Sequence, residues 1–425
     1  MNKTKIIRIT TVPVSLKTLL KGQLRFMSEH GFEVIGVSSK GDDLIEVENR
    51  EGVKTISVEM ERRISPFKDL VSLFKLYKVL NKEKPQIVHS ITPKAGLLSM
   101  LAGKMAGVPI RMHTFTGLIF PTRTGLMQKL LIKMDQLLCW GATNIYPEGN
   151  GVKNDLIKFK ITSKPLKVLA NGNVNGIDLE FFSPAQVSKE KQLQLKDELG
   201  IVSNDFVFVF VGRLVGDKGI NELVAAFKEL ETRNQKLEIR NQKLETRNRE
   251  VGVTLVPNPQ SPVPSPQSLV SSKVPKLLLV GSMESDLDPL EDDTLKAINN
   301  HPNIISVGYQ QDVRPFFAIA DALAFPSYRE GFPNVVMQAG AMGLPSIVSD
   351  INGCNEIIIN GKNGLIIPVK NVTALKNAMK KMMMDKSFYE QLKTNARTMI
   401  KSRYEQSDVW QALLEEYKSL LDSRN

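Results

Sequence analysis

The chain has 425 residues, of which 42% are hydrophobic and 24% are charged. This composition excludes disorder along most of the chain, and the length predicts two domains of about 150–200 residues each. The whole net charge of +11 lies within residues 1–180, which hold 27 Lys and Arg against 16 Asp and Glu. The asymmetry indicates either a solvated basic surface or an anionic partner, such as nucleic acid, phospholipid or a diphosphate.

Neither a membrane span nor a signal peptide is visible in the sequence. No run of about 18 apolar residues occurs, and charges interrupt the first ten positions, where a signal peptide needs an apolar core. The sequence therefore predicts a cytoplasmic protein. Cys139 and Cys354 lie in different halves without metal-ligand spacing, which predicts two buried thiols, no disulfide framework and no zinc site.

In the first half, short apolar runs alternate with amphipathic stretches, which is typical of a doubly wound α/β domain. Helices are predicted at 16–30 and 67–82, the second opened by Ser65 as the N-cap and Pro66 in the first turn. The predicted strands of this half are 6–11, 33–37, 55–58, 87–90, 110–114 and 168–170.

The same pattern restarts after residue 184, which predicts a first domain at 1–180 and a second at 181–404. A last helix, within residues 405–425, can pack back on the first domain. The predicted strands of the second half are 206–211, 276–280, 304–307, 322–325, 345–349 and 365–367.

Residues 231–275 interrupt this alternation. Three near-identical heptads begin at Leu230, Leu237 and Leu244, and a stretch rich in Pro, Ser and Val follows them. One apolar residue per heptad makes too thin a seam for a coiled coil, which needs two. We interpret the segment as a repetitive, disordered insert that takes no part in a functional site.

Two segments of the second half carry candidate chemistry. After the strand that ends at residue 325, a polar turn contains Glu330 and Gly331, and Asn334 is placed to cap the next helix, with Gln338 one turn further on. A helix start at a strand end suits an anionic ligand, and Glu330 can accept hydrogen bonds from hydroxyl groups. The alternative is a tight surface turn before a capped helix.

The second candidate segment follows the strand at 206–211. Gly212 and Arg213 lie at the carboxyl end of this strand, and Lys218 follows in a glycine-flanked turn. Two cations in such a turn suit a diphosphate, although a turn of this kind by itself is more often plain surface. Together the two segments predict a nucleotide-sugar pocket.

At this point the sequence resembles the family 4 retaining glycosyltransferases of GT-B fold. The resemblance rests on the Gly-Arg-Leu…Lys-Gly turn from Gly212, the Pro-Ser…Glu-Gly-Phe-Pro segment from Pro326 and the Ile347-Val-Ser-Asp continuation. The segments Thr11-Val-Pro-Val-Ser and Thr92-Pro-Lys are similar to those of the subgroup that makes capsule, O-antigen and lipid-linked oligosaccharides. The resemblance implies two Rossmann-like domains that face each other across a cleft, with the acceptor on the first and the donor on the second.

The resemblance also implies roles for individual residues. Arg213 and Lys218 would hold the donor diphosphate, and Glu330 would contact the donor sugar. His113 matches a family histidine that approaches this sugar. Judged by pattern alone, a lone histidine at a strand end more often has a structural role. The implied catalytic residues are therefore Arg213, Lys218, Glu330 and His113, and the implied donor-binding residues are Gly212, Gly331, Phe332, Pro333, Asn334 and Gln338.

The chain departs from the family pattern at two places. Gln338 stands where the family usually has a glutamate that binds the nucleotide ribose, so an acceptor oxygen is kept and a charge is lost. The first loop has Val14-Ser-Leu16 in place of paired glycines.

The implied reaction is metal-independent transfer from a nucleotide-diphosphate sugar, UDP-linked by resemblance, to a glycan or a polyprenyl-diphosphate-linked saccharide. The diphosphate is a good leaving group, so no pair of acid and base carboxylates is needed, and no cofactor or metal is expected. In this family retention is described as front-face substitution, in which the leaving phosphate oxygen takes the acceptor proton. The apolar stretch at 118–140, with Lys129 and Lys133, predicts peripheral attachment to an anionic membrane, or else a buried helix.

Three alternative functions are also compatible with parts of the sequence. A nucleic-acid-binding protein explains the basic first half, but no nucleic-acid module or aromatic-interleaved basic run is present, so no nucleic acid is expected. A catalytically silent nucleotide-sugar-binding protein accounts for Gln338. An epimerase or phosphorylase on the same fold shares the donor site.

Overall fold

The structure, a computed structural model, describes residues 3–231, 273–284 and 288–424. Its contacts divide the chain into two compact units. Unit 1 comprises Met1–Leu179, Glu330–Asn334 and Ile400–Asn425, and unit 2 comprises Glu180–Arg329 and Val335–Met399. The short segment Glu330–Asn334, which contains several candidate site residues, therefore belongs to unit 1.

Unit 1 is built on a six-stranded parallel sheet in the order β3-β2-β1-β4-β5-β6. Its strands are β1 (Thr4–Ile9), β2 (Phe32–Ser38), β3 (Lys54–Ser57), β4 (Ile87–Ser90), β5 (Ile110–Phe115) and β6 (Asn144–Pro147). Its helices are α1 (Pro13–Leu19), α2 (Gln23–Glu29), α3 (Asp42–Glu51), α4 (Pro66–Glu83), α5 (Pro93–Met105), α6 (Gly125–Gly141), α7 (Asn150–Lys158) and α16 (Gln406–Asp422).

Helices cover both faces of this sheet, which explains why most positions of β1, β2, β4 and β5 are buried. One buried cluster joins Ile7 and Ile9 of β1 to α4, α5, α6 and α7. The other joins Ile6 of β1 to α1, α2, α3 and the last helix, α16. Alternate residues of β1 thus serve opposite cores, as the two-residue period of a strand requires.

A buried polar network fixes α16 against the sheet. The Tyr417 hydroxyl accepts a hydrogen bond from Arg8 Nη1 at 2.7 Å and lies 2.7 Å from His89 Nδ1. His89 Nε2 bonds to Thr114 Oγ1 at 2.8 Å. Because Arg8, His89 and Tyr417 are all buried, this network specifies where the helix sits.

Unit 2 contains a second six-stranded parallel sheet in the order β12-β11-β10-β7-β8-β9. Its strands are β7 (Asp205–Val211), β8 (Val274–Val280), β9 (Ile304–Ser306), β10 (Ala322–Phe325), β11 (Ser346–Ser349) and β12 (Gly364–Ile367). Its helices are α8 (Lys189–Glu198), α9 (220–231), α10 (Asp292–Asn300), α11 (Arg314–Ile319), α12 (Asn334–Ala341), α13 (Cys354–Ile357), α14 (Val372–Met384) and α15 (Lys386–Tyr404), the first residue of α12 and the last five of α15 belonging to unit 1.

Both sheets have the same topology. Numbered within its own unit, each runs 3-2-1-4-5-6, the order of dinucleotide-binding folds. The order reverses between β1 and β4 in unit 1 and between β7 and β10 in unit 2. Ligands of such sheets bind beyond the carboxyl ends of the strands at this switch point. In unit 1 this position is occupied by Thr10–Val12 and Thr92, and in unit 2 by Gly212 and Pro326.

The predicted fold class, α/β with two Rossmann-like sheets, is confirmed. The strand predicted at 168–170 is wrong: this stretch is irregular, and only Leu166 forms a bridge, with Ile145 of the short strand β6. The single helix predicted at 16–30 is two helices: α1 ends at Leu19, and Gly22, the N-cap of α2, has a φ of 80°, which lies outside helical geometry.

Three further predictions concern the cap of α4, the repetitive insert and membrane spans. Ser65 occupies the N-cap position of α4 but makes no side-chain cap bond; its amide donates instead to Asp69 Oδ2 at 3.2 Å. Most of the repetitive insert lies outside the described residues. Among those described, no helix combines the length and the apolar character that crossing a bilayer requires.

Candidate functional site

In unit 2 the turn after β7 presents two of the predicted cations. Gly212 continues the pairing with β8 through a bond from its amide to Val280 O at 2.9 Å, and Arg213 follows at the strand's end. The Arg213 Nη1 atom lies 3.0 Å from Glu284 Oε2, and both side chains are partly exposed. An anion that bound Arg213 would have to share or displace this ion pair, which the sequence did not reveal.

The turn that carries Lys218 is a short 3₁₀ helix, Gly216–Lys218, held by Asp288. The Asp288 carboxylate accepts from the amide of Asp217, and its backbone oxygen accepts from the amide of Gly216 at 3.2 Å. The Lys218 Nζ atom lies 5.9 Å from the centre of the Phe325 ring at the end of β10. Lys218 thus stands at the switch point of the second sheet.

Gly219 shows how closely this turn approaches β10. Its φ is 72°, and a β-carbon there would lie only 2.2 Å from Pro326 O. Only glycine satisfies both conditions, because other residues avoid this backbone region and would collide with the neighbouring strand end. The β7 turn and the β10 end are therefore held as one surface.

Polar residues complete that surface. The Tyr328 amide donates to Asp217 O at 2.9 Å, and its hydroxyl donates to Glu222 Oε1. Burial, and then the bond to Glu222, raise the pKa of Tyr328, so the phenol stays protonated. Asp217 Oδ1 and Glu222 Oε2 are buried without hydrogen-bond partners in the part of the chain that the structure describes. These oxygens can accept bonds from the hydroxyl groups of a ligand or from water.

The second group of predicted residues lies in unit 1, where Glu330–Asn334 packs against the loop after β5. A β-carbon on Gly331 would lie 2.5 Å from Thr116 O and 2.9 Å from the amide nitrogen of Gly117. Two backbones touch here with no room for a side chain. Glycine at 331 is therefore required for this segment to lie where it does.

The remaining residues of the segment are anchored within the same unit. Phe332 is 6% exposed and its ring lies 5.4 Å from that of Tyr404; the neighbouring Pro333 is also buried. The Asn334 Oδ1 atom accepts from Asn173 Nδ2 at 3.0 Å, so the predicted cap of α12 is wrong and this oxygen serves a distant loop. The segment is thereby fixed at both ends of its turn.

His113 is part of the β5 strand and is 1% exposed. Its Nδ1 atom bonds to Ser90 Oγ at 2.8 Å, and its ring packs beside Gly96 and edge-on to Phe115. Burial lowers the pKa of His113 to about 3. The ring is therefore neutral near pH 7 and can donate or accept a hydrogen bond but cannot act as a cationic acid.

Gln338 lies one turn into α12 and is half-buried. Its side-chain amide makes no hydrogen bond to any described residue. The predicted site residues thus fall into two groups: Gly212, Arg213, Lys218 and Gln338 in unit 2, and His113, Glu330, Gly331, Phe332, Pro333 and Asn334 in unit 1.

Within the described ranges, no group of three or more His, Cys, Asp or Glu side chains is arranged to hold a metal ion. Both cysteines are buried, as predicted. Burial raises the pKa of Cys139 to about 12, so this thiol is unreactive.

Several residues around the site were not predicted from the sequence. Asp288 and Glu284 follow β8, and Asn173 lies in the run from Asn171 to Gly176. The Asn and Gly content of that run signals an irregular loop, but nothing local identifies its partner, Asn334, 161 residues later. Long-range hydrogen bonds of this kind leave no spacing pattern in a single sequence.

Two family descriptions match the chain. "Glycosyl transferase 4-like" matches residues 10–148, and "Glycosyl transferases group 1" matches residues 267–399. The first covers most of the unit 1 sheet and the second most of the unit 2 sheet, including the segment from Pro326.

Individual relatives agree. The chain is 29% identical to the capsular polysaccharide biosynthesis glycosyltransferase CapM of Staphylococcus aureus, over 99% of this chain and 98% of that protein. It is 30% identical to the UDP-Gal:alpha-D-GlcNAc-diphosphoundecaprenol alpha-1,3-galactosyltransferase of Escherichia coli, over 76% and 73% of the two chains.

Solved structures share the fold. A glycosyltransferase from Rickettsia africae has a TM-score of 0.74 at 18% identity and 99% coverage of both chains. Anabaena Alr3699/HepE in complex with UDP has a TM-score of 0.72 at 15% identity, covering 98% of this chain and 100% of that one. With the sequence matches and the two strand-end turns, these likenesses show that the chain is a glycosyltransferase and belongs to the family 4 glycosyltransferases of GT-B fold.

Proposed function

We propose that this glycosyltransferase transfers a sugar from a UDP-sugar to a lipid-linked saccharide, with retention of anomeric configuration, in the synthesis of a bacterial surface polysaccharide. The observation that carries the proposal is the turn at the switch point of the second sheet, where Arg213 follows β7 and Lys218 lies near the end of β10. The name of the Escherichia coli relative supports both substrate classes, since it contains a UDP-linked donor and a diphosphoundecaprenol acceptor.

In the proposed reaction, Arg213 and Lys218 stabilise the charge that develops on the departing diphosphate. A guanidinium can grip two phosphate oxygens as a planar fork, and an ammonium group adds a point charge. These two cations supply the positive charge that a metal ion supplies in other transferases, so we propose a metal-independent reaction.

Three further residues contact the donor in this proposal. Glu330 accepts hydrogen bonds from hydroxyl groups of the sugar, and the side-chain amide of Gln338 hydrogen-bonds to the ribose. His113 keeps Nδ1 on Ser90, which leaves Nε2, without a partner among the described residues, to bond to the sugar. A neutral imidazole positions the sugar and does not exchange protons with the acceptor, which agrees with proton transfer to the leaving phosphate oxygen.

We also propose that one helical layer of unit 1 rests on the cytoplasmic face of an anionic membrane. Apolar side chains point outward from α4 and α6, including Phe67 at 88% exposure and Leu126 at 84%. Basic side chains are interspersed with them and have no ion-pair partner in the described ranges. These exposed residues are Phe67, Leu70, Val71, Phe74, Leu126, Met127, Leu130, Leu137 and Trp140, with Lys75, Lys78, Lys129 and Lys133.

Both helices belong to the layer that packs on one face of the sheet, with α5 between them. Exposed apolar stripes surrounded by lysines suit an interface of acyl chains and anionic headgroups, and Trp140 is typical of that depth. The sequence predicted the α6 part of this surface, whereas the α4 part emerges only once the burial of each side chain is known.

Sugar transfer itself is tested with UDP-sugars and polyprenyl-diphosphate-linked saccharides, analysed by mass spectrometry. Product is expected in EDTA and only when acceptor is present. Complete loss in EDTA with recovery on adding Mn²⁺ would refute the metal-independent reaction. Donor turnover without acceptor would instead favour an epimerase, and turnover that requires free phosphate would favour a phosphorylase.

Membrane attachment is tested by flotation with vesicles containing phosphatidylglycerol at physiological salt. The double variant Phe67→Ser/Leu126→Ser is expected to leave the vesicles. Ile45→Ser is the matched control, because Ile45 is 63% exposed on α3, which packs on the opposite face of the sheet. Equal flotation of the double variant and the control contradicts the proposed surface.

A further inference from the structure

A cavity of about 110 Å³ lies in unit 1 beyond the carboxyl ends of β4 and β5. The first turn of α5 forms one side of it, the loop after β5 a second and the middle of α6 a third. Its walls are mainly apolar, from residues such as Leu97, Phe120, Leu131 and Met134. A cavity of about 150 Å³ binds benzene in another protein, so this space suits a hydrocarbon group of about five carbons.

One cation stands free at the edge of this cavity. Arg62 lines it, is exposed, and makes neither a hydrogen bond nor an ion pair with any described residue. The loop that carries it is fixed by Lys94, whose ammonium group bonds to Arg63 O and, at 2.7 Å, to Asp69 Oδ1. Lys94 is thus already neutralised, and Arg62 is the group left to meet an anion.

The start of α5 adds to the positive potential at this edge. Pro93, the first residue of that helix, lines the cavity, so the positive end of the helix dipole lies there. Asp135, on the α6 wall, acts in the opposite sense. Burial raises the pKa of Asp135 to about 7, so this carboxyl opposes an anion less near neutral pH than an ordinary aspartate does.

The cavity also connects two surfaces that the proposed function requires. Ile64 and Arg62, which line it, belong to the loop before α4, and Leu131 belongs to α6, so the cavity adjoins α6 and the loop that leads into α4. Gly117, on another wall, lies against Gly331 in the segment assigned to the donor sugar. A molecule seated here has one end toward the membrane-facing helices and the other toward the site of transfer.

We infer that this cavity binds the diphosphate end of a prenyl-linked acceptor, with the first isoprenoid unit between α5 and α6 and the diphosphate on Arg62. This inference rests on the proposed function, because it locates the lipid part of the proposed acceptor. The apolar walls exclude water around the isoprenoid unit, and the cation at the edge sets how deeply the lipid enters.

The test uses farnesyl diphosphate as the probe and the full chain, with binding measured by calorimetry. Arg62→Ala and Met134→Trp are each expected to weaken binding by about tenfold or more, the first by removing the charge and the second by filling the cavity. Arg63→Ala is the matched control. It removes the same charge from the neighbouring position, and the Arg63 side chain does not line the cavity. Farnesol and inorganic pyrophosphate are each expected to bind more weakly than the whole probe.

Arg62 is exposed, so Arg62→Ala should fold even if Met134→Trp does not. The inference is overturned if farnesyl diphosphate fails to bind, or if Arg62→Ala binds it as tightly as Arg63→Ala. UDP binding and transfer to a glycoside without diphosphate are measured in parallel. If these persist while prenyl diphosphate binding is absent, only this inference fails; if UDP does not bind while the prenyl probe does, the proposed function fails and the cavity assignment stands.

Discussion

Adding one methyl group at Gly331 tests whether the Glu330–Asn334 segment positions the reacting sugar. In Gly331→Ala the new carbon would lie 2.5 Å from Thr116 O, and the atoms it meets are all backbone atoms. A carbon and a carbonyl oxygen normally stay about 3.3 Å or more apart, so the segment and the loop must separate by about 0.8 Å. No side-chain rotation can relieve such a contact.

The expected cost follows from that displacement. A misplacement of about 1 Å at the reacting groups lowers turnover on the order of 10²-fold. This corresponds to about 2.7 kcal/mol of transition-state stabilisation. Arg213 and Lys218 lie in unit 2, so UDP affinity should change much less than kcat.

The assay compares kcat, UDP affinity and Tm for the parent, Gly331→Ala and the control Gly36→Ala. Gly36 lies within β2, where a β-carbon would meet side chains of Leu16, Thr55 and Leu24 at 3.5, 3.6 and 3.9 Å, which are ordinary contacts. The control should retain parental turnover. If Gly331→Ala transfers sugar within about threefold of Gly36→Ala, the position of this segment does not limit the reaction and the reasoning is refuted.

Lys218→Ala and Arg213→Ala should each lower kcat on the order of 10²-fold, measured with saturating donor, because each removes charge from the leaving group; a change confined to KM would contradict this. Glu284→Gln should tighten UDP binding by up to about fivefold in calorimetry, since it releases Arg213 from an exposed ion pair. Gln338→Leu should weaken UDP binding by roughly tenfold while Gln338→Glu stays within about tenfold of the parent in activity, and equal affinity of Gln338→Leu and the parent would remove Gln338 from the site. Burial holds the pKa of His113 at about 3, below the value of about 6.5 in the unfolded chain, so the unfolded state binds more protons between these values and stability is lost as the pH falls below about 6.5. His113→Asn should remove about 2 kcal/mol of the loss in unfolding free energy between pH 7 and pH 5, and denaturant unfolding with the same pH dependence as the parent would contradict the assignment.

The strands were the most readable part of the fold. Residues 206–211 and 277–280 are apolar runs because both faces of their sheet are covered, and the structure has strands there. The strand β6 was missed because only Ile145 and Tyr146 mark it before Pro147, while 168–170 looks apolar yet is irregular. A run of two or three apolar residues does not reveal whether a neighbouring strand is available to pair with it.

Part of the candidate site could be predicted from the sequence for a related reason. Arg213 and Lys218 follow a strong strand and stand among glycines, so composition and position together indicate an anion-binding turn. The ion pair of Arg213 with Glu284, the bond between Asn173 and Asn334 and the contact of Gly331 with Thr116 join residues 71, 161 and 215 positions apart. Local propensity carries no information on such pairs.

By itself, then, the sequence determined the alternation of strands and helices, the two sheets they form and the strand-end turns, because hydrophobic period and turn chemistry act over a few residues. The packing of Glu330–Asn334 with the first sheet, the neutral state of His113 in the interior and the exposure of apolar faces on α4 and α6 follow from tertiary contacts alone. These properties depend on which surfaces meet when the chain closes on itself. Burial, and the pKa and steric limits that follow from it, belong to that closed arrangement and not to any one segment.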